Sequence, residues 1–287
     1  MIVHFFACSF SLPRSLFCIF FVAVLTLFLN YSFILVHVFS VSQSTACSAE
    51  CPEGAYSISP GTDLIESGLN DAISKGIYHI HLEPGIHTMT KTLTIETQMT
   101  FSGGGRGITI VQEHGFLILG KKDEKCTFMD MSVQKTKSTG HTQGAGLVGQ
   151  NGMHFDCLRV HFDQCGGDGV AAYMTNGKLI NCQITQCLLS GVVSLANSAI
   201  EIEGEDTMIE NNNTDEYVGD HVYAYGLRAS YLSSSIHILS PLTKESIKNN
   251  QYGNYGGAGE IAIIDNDGNK IEIIQTPEET FLWNDRY

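Results

Sequence analysis

Three segments in the middle of the chain superimpose without gaps, and few folds tolerate such a repeat. In MDMSVQKTKSTG, Met131, Val133, Thr136 and Gly140 take the places of Val160, Phe162, Cys165 and Gly169 in VHFDQCGGDG. The same places are held by Cys182, Ile184, Cys187 and Gly191 in CQITQCLLSG. The copies lie 29 and then 22 residues apart. Two inward residues two apart, a third three later and a glycine at the next turn form the pattern of stacked solenoid coils. A single coil has no core; each buries its apolar positions against the same positions in the coils above and below. Farther on, Ile209-Glu-Asn-Asn212 recurs as Ile247-Lys-Asn-Asn250 after 38 residues, and Tyr223-Ala-Tyr225 matches Ile261-Ala-Ile263 at the same distance. The later coils therefore carry longer loops.

Upstream, residues 62–75 place Leu64, Ile65, Leu69, Ala72 and Ile73 at near-helical spacing, and Asp63 with Glu66 reads as a capping box. After this helix come short alternating segments, Ile80-His-Leu82, Leu93-Thr-Ile95, Met99-Thr-Phe101, Ile108-Thr-Ile110 and 116–119, separated by Gly, Asn or Asp. They recur too closely for βαβ units. They also lack the regular two-residue Asn-Gly or Asp-Gly linkers that hairpins prefer. The expected fold class is all-β, a right-handed parallel β-helix solenoid with a short N-terminal capping α-helix. Phe281 and Trp283 are candidates to seal its far end.

The helix TDLIESGLNDAISK with IYHIHLEPGIHTMTKTLTI resembles the N-terminal cap and first coil of the pectin-lyase-like right-handed β-helix superfamily. CLRVHFDQCGGDGV and CQITQCLLSGVV resemble its coil repeats. The resemblance covers residues 58–274 and specifies fold rather than chemistry, because the superfamily holds lyases, hydrolases, epimerases, phage tail-spike modules and noncatalytic adaptors. Polygalacturonases in it carry Asn-Thr-Asp, then Asp-Asp and Gly-His-Gly in later coils. Here Asn213-Thr214-Asp215 matches only the first, so the resemblance transfers no catalytic role.

Residues 16–41 are largely apolar and long enough to span a bilayer, which takes about 20 residues. Arg14 is the only charged residue before Glu50, which places the N-terminus on the cytoplasmic side. The expected layout is a cytoplasmic 1–14, a hydrophobic signal-anchor helix over 15–41, a linker over 42–57 and a β-helix domain over 58–287. A polar break at Asn30 to Ser32 keeps open a cleaved signal peptide ending near Ala46. Either reading exports the domain, to a membrane-anchored position facing the extracellular or lumenal side or to secretion.

Thirty acidic residues against 16 basic give a formal net charge of −14. A surface of that sign repels phosphate backbones and argues against a nucleic-acid partner. Cys47 and Cys51 in CSAEC are candidates for a local disulfide or for pairing with another chain. They lack the two further ligands a metal would need. Asn212-Asn213-Thr214 is a glycosylation sequon in an exported chain. Ser102-Gly-Gly-Gly-Arg106-Gly has no Lys-Ser/Thr and precedes a strand, so it reads as a turn rather than a phosphate loop.

Residues between the inward positions of a strand point outward. Stacking the matched coils gives an outer ladder of Asp130, Ser132 and Gln134, then Arg159, His161 and Asp163, then Asn181, Gln183 and Thr185. With neighbouring coils about 4.8 Å apart, Asp130, Arg159, His161 and Asp163 form the candidate catalytic patch. Carboxylates beside cations suit acid–base work on sugars, and Arg159 suits a uronate. No cofactor is required, with calcium expected only if the chain acts on polysaccharide. Two function classes follow: a binding or structural β-helix whose partner is a polysaccharide or a cell-surface protein, and a polysaccharide lyase, hydrolase or epimerase.

Overall fold

The computed structural model describes residues 51–137, 144–214 and 224–274. The apolar 16–41 segment, Cys47, Asp215, Phe281 and Trp283 lie outside the described residues. Among those described, no helix is long and apolar enough to cross a membrane.

The described chain winds into a parallel β-helix. Its three sheets have ten, eight and seven strands, each following coil order. One complete coil runs through His154–Leu158 in the first sheet, His161–Asp163 in the second and Val170–Tyr173 in the third. All pairings are parallel except the last, where Lys270–Ile273 folds back antiparallel on Glu260–Ile264. In the second sheet Val133, Phe162, Ile184, Ile209 and Ile247 stand in one row, which bears out both the 22- and 29-residue repeats and the 38-residue step.

Single residues in the left-handed region turn the chain between the first and second sheets: Asp130 (φ 56), Arg159 (φ 53) and Asn181 (φ 52). That conformation costs an L-residue about 1–2 kcal/mol. Stacking offsets it, because each corner N–H donates to the next coil: Asp130 to the Leu158 carbonyl (3.0 Å), Arg159 to Ile180 (2.9 Å) and Asn181 to Glu203 (3.0 Å). A second row of such corners follows the second sheet at Lys135, Gln164, Gln186, Asn211 and Asn249. Arg159→Asn, which copies Asn181 one coil on, is expected to shift stability by under ~1 kcal/mol, whereas the β-branched Arg159→Val costs about 1–2 kcal/mol more. Urea unfolding of the two variants checks this.

Phe101, Phe116, Phe128, Phe155 and Phe162 are fully buried. Phe101 and Phe128 stack at 5.3 Å between centroids, with Phe116 tilted against Phe128 at 4.9 Å. Phe155 lies directly over Gly177 of the next coil, where a Cβ would sit 2.1 Å from the ring. The glycine there makes room for the aromatic ring.

The expected helix spans Leu64–Ser74 and covers the start of the core with Ile65, Leu69 and Ala72. Leu64 and Ile73, read as part of its apolar face, are partly exposed. The capping box does not form. Asp63 itself is left-handed (φ 55), and its carboxylate accepts from Thr90 N and Oγ1, both at 2.7 Å, while Glu66 pairs with Lys91 at 3.0 Å. The neighbouring coil thus supplies donors that compete with the helix's own.

Two strand readings are also corrected. The strand near Ile108 runs Thr109–Gln112, with Thr109 and Val111 inward and Ile110 on the outer side. Thr109 Oγ1 accepts from Gly104 N (2.8 Å) and donates to the Leu82 carbonyl (3.2 Å), which selects this phase; a one-residue shift exchanges the two faces. Ile261 pairs with Ile236 in the first sheet, whereas Tyr225 precedes the third-sheet strand Leu227–Ala229. The x-Ala-x likeness between the two segments reflected alternation common to any strand rather than a shared place in the coil.

Candidate functional site

The four candidate residues fall into two units on the outer side of the second sheet. Asp130 and Arg159, stacked at the corner, form a bidentate ion pair: Arg159 Nε and Nη2 donate to the two Asp130 oxygens at 2.6 and 2.7 Å. Asp130 raises the guanidinium's pKa further. Both side chains are about a third to a half exposed, so the pair contributes little stability.

His161 and Asp163 flank the inward Phe162 on one strand, 4.0 Å apart at their closest. Thr185 of the next coil bridges them. Its Oγ1 lies 2.9 Å from His161 Nε2 and 2.8 Å from Asp163 Oδ1, and Gln164 Nε2 donates to Asp163 Oδ2 at 3.0 Å. A hydroxyl has one proton. With that proton given to Asp163, the Thr185 oxygen accepts from His161 Nε2–H, leaving Nδ1 as the basic nitrogen. This order makes Thr185 a bridge between the imidazole and Asp163, its proton held by a carboxylate that Gln164 also engages rather than by the imidazole.

Arg106, set aside with its Gly-rich turn, completes the patch. The turn over residues 103–108 lies across the corner: Gly107 N donates to the buried Ser132 hydroxyl (3.0 Å), and Arg106 Nη1 reaches the Asn181 carbonyl at 3.4 Å. Ser132 and Thr185, expected on the open ladder, are covered. The one signal available was an isolated cation inside a glycine run. Burial lowers the His161 pKa; Asp163 opposes this and the Arg106 charge adds to it. The imidazole is therefore neutral near pH 7.

Burial holds His79, His81 and His87 below the usual imidazole range as well. His87 is fully buried, with Nε2 on the Glu83 carbonyl at 2.9 Å and Nδ1 without a partner among the described residues. Below about pH 6.5 the unfolded chain protonates these imidazoles while the folded chain does not, so stability falls as pH drops. Asp168 acts in the opposite sense, its carboxyl raised to about 6 by burial, and gains stability over the same range. Four histidines outweigh one carboxyl. Urea midpoints are expected to fall between about pH 7 and 5, and His87→Gln to flatten that slope.

Asn212, the sequon residue, points into the coil and is 1% exposed. Its Nδ2 donates to the Ile184 carbonyl (3.0 Å) and Asn250 Oδ1 (3.1 Å), and its Oδ1 accepts from Cys187 N (3.0 Å). That packing has no space for a glycan. Cys51 is an exposed free thiol, and its suggested partner Cys47 lies outside the described residues. Among the described residues no three His, Cys, Asp or Glu side chains converge to hold a metal ion. A concavity of about 440 Å³ lies beside the capping helix, between Glu66, Leu69, Lys91, Leu93 and His114, away from the patch.

In comparisons with known proteins, no family model matches the chain, and no curated protein matches it significantly.

Proposed function

We propose that the β-helix is an exported binding or structural module that presents its outer polar ladder to a glycan or a protein partner. One observation carries this reading. The carboxylates of the patch already accept from their own chain, Asp130 from Arg159 and Asp163 from Thr185 and Gln164. A glycosidase acid needs surroundings that retain its proton, and these carboxylates face donors on an outer sheet surface instead. Export rests on the apolar 16–41 segment and on Arg14 as the only charge before Glu50. The right-handed sense and the pectin-lyase-like kinship rest on the cap, the Pro84-Gly85 turn and the coil pattern.

A second reading is favoured by the neutral His161. Its Nδ1 can remove a proton from a sugar carbon while Arg106 or Arg159 neutralises a neighbouring uronate, which is lyase or epimerase chemistry. The discriminating experiment incubates the chain with neutral and acidic polysaccharides, with and without calcium, and follows both binding and product release. An Arg159→Asn, His161→Gln double variant is run beside it. Binding without product, weakened in the variant, is expected; product release that the variant abolishes would replace the binding reading with the enzyme.

A further inference from the structure

Five cysteines among the described residues are buried in the core: Cys126, Cys157, Cys165, Cys182 and Cys187. Four of the possible stacks bring a thiol over something else. Cys126 stands between Met99 and Phe155, and Cys157 between Phe128 and Leu179. The Cys182 thiol is directed at carbonyls, lying 3.3 Å from that of Cys157 and 3.5 Å from that of Ile180.

Cys165 and Cys187 differ. Each follows the paired Phe162 and Ile184 by three residues, and the ladder stays in register there: Gln164 N donates to the Thr185 carbonyl (3.0 Å) and Leu188 N to that of Cys165 (2.8 Å). Their sulfurs occupy the same place in successive coils. A Cβ on Gly146 would lie 3.0 Å from Cys165 Sγ, and one on Gly169 would lie 3.2 Å from Cys187 Sγ. Burial raises the Cys187 thiol pKa, and the neighbouring Cys165 thiol raises it further. Registered neighbours on adjacent parallel strands are about 4.8 Å apart, inside the Cα separation that disulfides span without moving the backbone.

We propose that Cys165 and Cys187 form an inter-coil disulfide when the chain folds in an oxidising compartment. Each thiol gives up a proton, and the pair passes two electrons to a disulfide oxidant, either glutathione disulfide or the disulfide of an oxidoreductase. The oxidant leaves as two thiols after a mixed-disulfide step. Burial pushes the Cys187 thiol well up, which suppresses the attacking thiolate once the coils have closed. The exchange therefore belongs to folding, before these two coils dock. The bond closes a loop of moderate length and adds a covalent tie between two coils already joined by ladder hydrogen bonds, packing and the Thr185 bridge to His161 and Asp163.

To test this, the full chain is unfolded and refolded in a reduced and oxidised glutathione mixture, and in parallel with a phosphine reductant. Both samples are then denatured, alkylated and digested for mass spectrometry. If refolding fails, chain produced in an oxidising cellular compartment and trapped by alkylation is analysed in the same way. The expected result is a cross-linked peptide pair holding Cys165 and Cys187, lighter by two hydrogens, and a higher thermal midpoint in the oxidised sample. Cys187→Ala should remove both the cross-link and the rise while folding as before under reductant. Cys165 and Cys187 both alkylated in the oxidised sample, or joined to other cysteines, would overturn the proposal.

Discussion

Phe128→Ala is expected to lower unfolding stability by about 3–5 kcal/mol, read from the denaturant midpoint at unchanged slope. The ring is 1% exposed, lies flat on Phe101 with 7° between their planes, and is met from the third sheet by Phe116. A β-helix interior collapses poorly around such a hole. The backbone at Phe128 is hydrogen-bonded to the coils on both sides, in register with Phe101 and Cys157, so neighbouring strands cannot slide inward. Because coils stabilise one another by nearest-neighbour contact, the loss should fall on the N-terminal coils first. Protection of amides around Phe101 and Phe116 is then expected to drop before that around Ile238. A loss below about 1 kcal/mol would mean that these rings are not packed together, since buried Phe truncations sit well above that.

Asn212→Ala is expected to cost about 2–5 kcal/mol. Its side chain serves three groups: it accepts from Cys187 N and donates to the Ile184 carbonyl and to Asn250 Oδ1. Each buried backbone group left without a partner costs about 1–3 kcal/mol. Asn250 repeats the arrangement one coil on, its Nδ2 donating to the Ile209 carbonyl at 3.2 Å, so Asn250→Ala should behave alike and the two losses should not add. Asn212→Asp is expected to be at least as damaging, because an oxygen would then face the Ile184 carbonyl. A glycan attached to Nδ2 before folding would block the same bonds. Mass spectrometry of folded, exported chain is therefore expected to find Asn212 unmodified, and a glycosylated folded species would show that this coil can close without its asparagine.

Much of the fold is legible because a coil is a short-range object. The inward pairs Val133, Phe162 and Ile184 and the corner residues Asp130, Arg159 and Asn181 recur together, and a reader of the residues alone can stack them. The capping helix is legible for the same reason, since Ile65, Leu69 and Ala72 form a local stripe. The phase of Thr109–Gln112 is less so: apolar alternation favours Ile108 and Ile110, and only the Leu82 carbonyl and Gly104 N–H of the folded chain select Thr109 as inward. The capping box fails likewise, because Thr90 on a neighbouring coil outcompetes the helix for Asp63.

The candidate patch divides in the same way. Residue spacing alone brings Asp130 beside Arg159 and places His161 beside Asp163, because positions one coil apart or two residues apart on a strand are neighbours by geometry. It does not reveal that Thr185 bridges His161 to Asp163, that Arg106 reaches across from a glycine turn, or that Asn212 faces inward.

The stacking of the central coils and the outer row of charged residues thus follow from the amino-acid pattern, since each depends on contacts repeated at short and regular intervals. Which groups are buried, which protons they hold and which thiols meet are decided only in the stacked structure. Burial and hydrogen-bond pairing there depend on what the adjacent coil supplies, and at Asn212 the partner Asn250 lies 38 residues away along the chain.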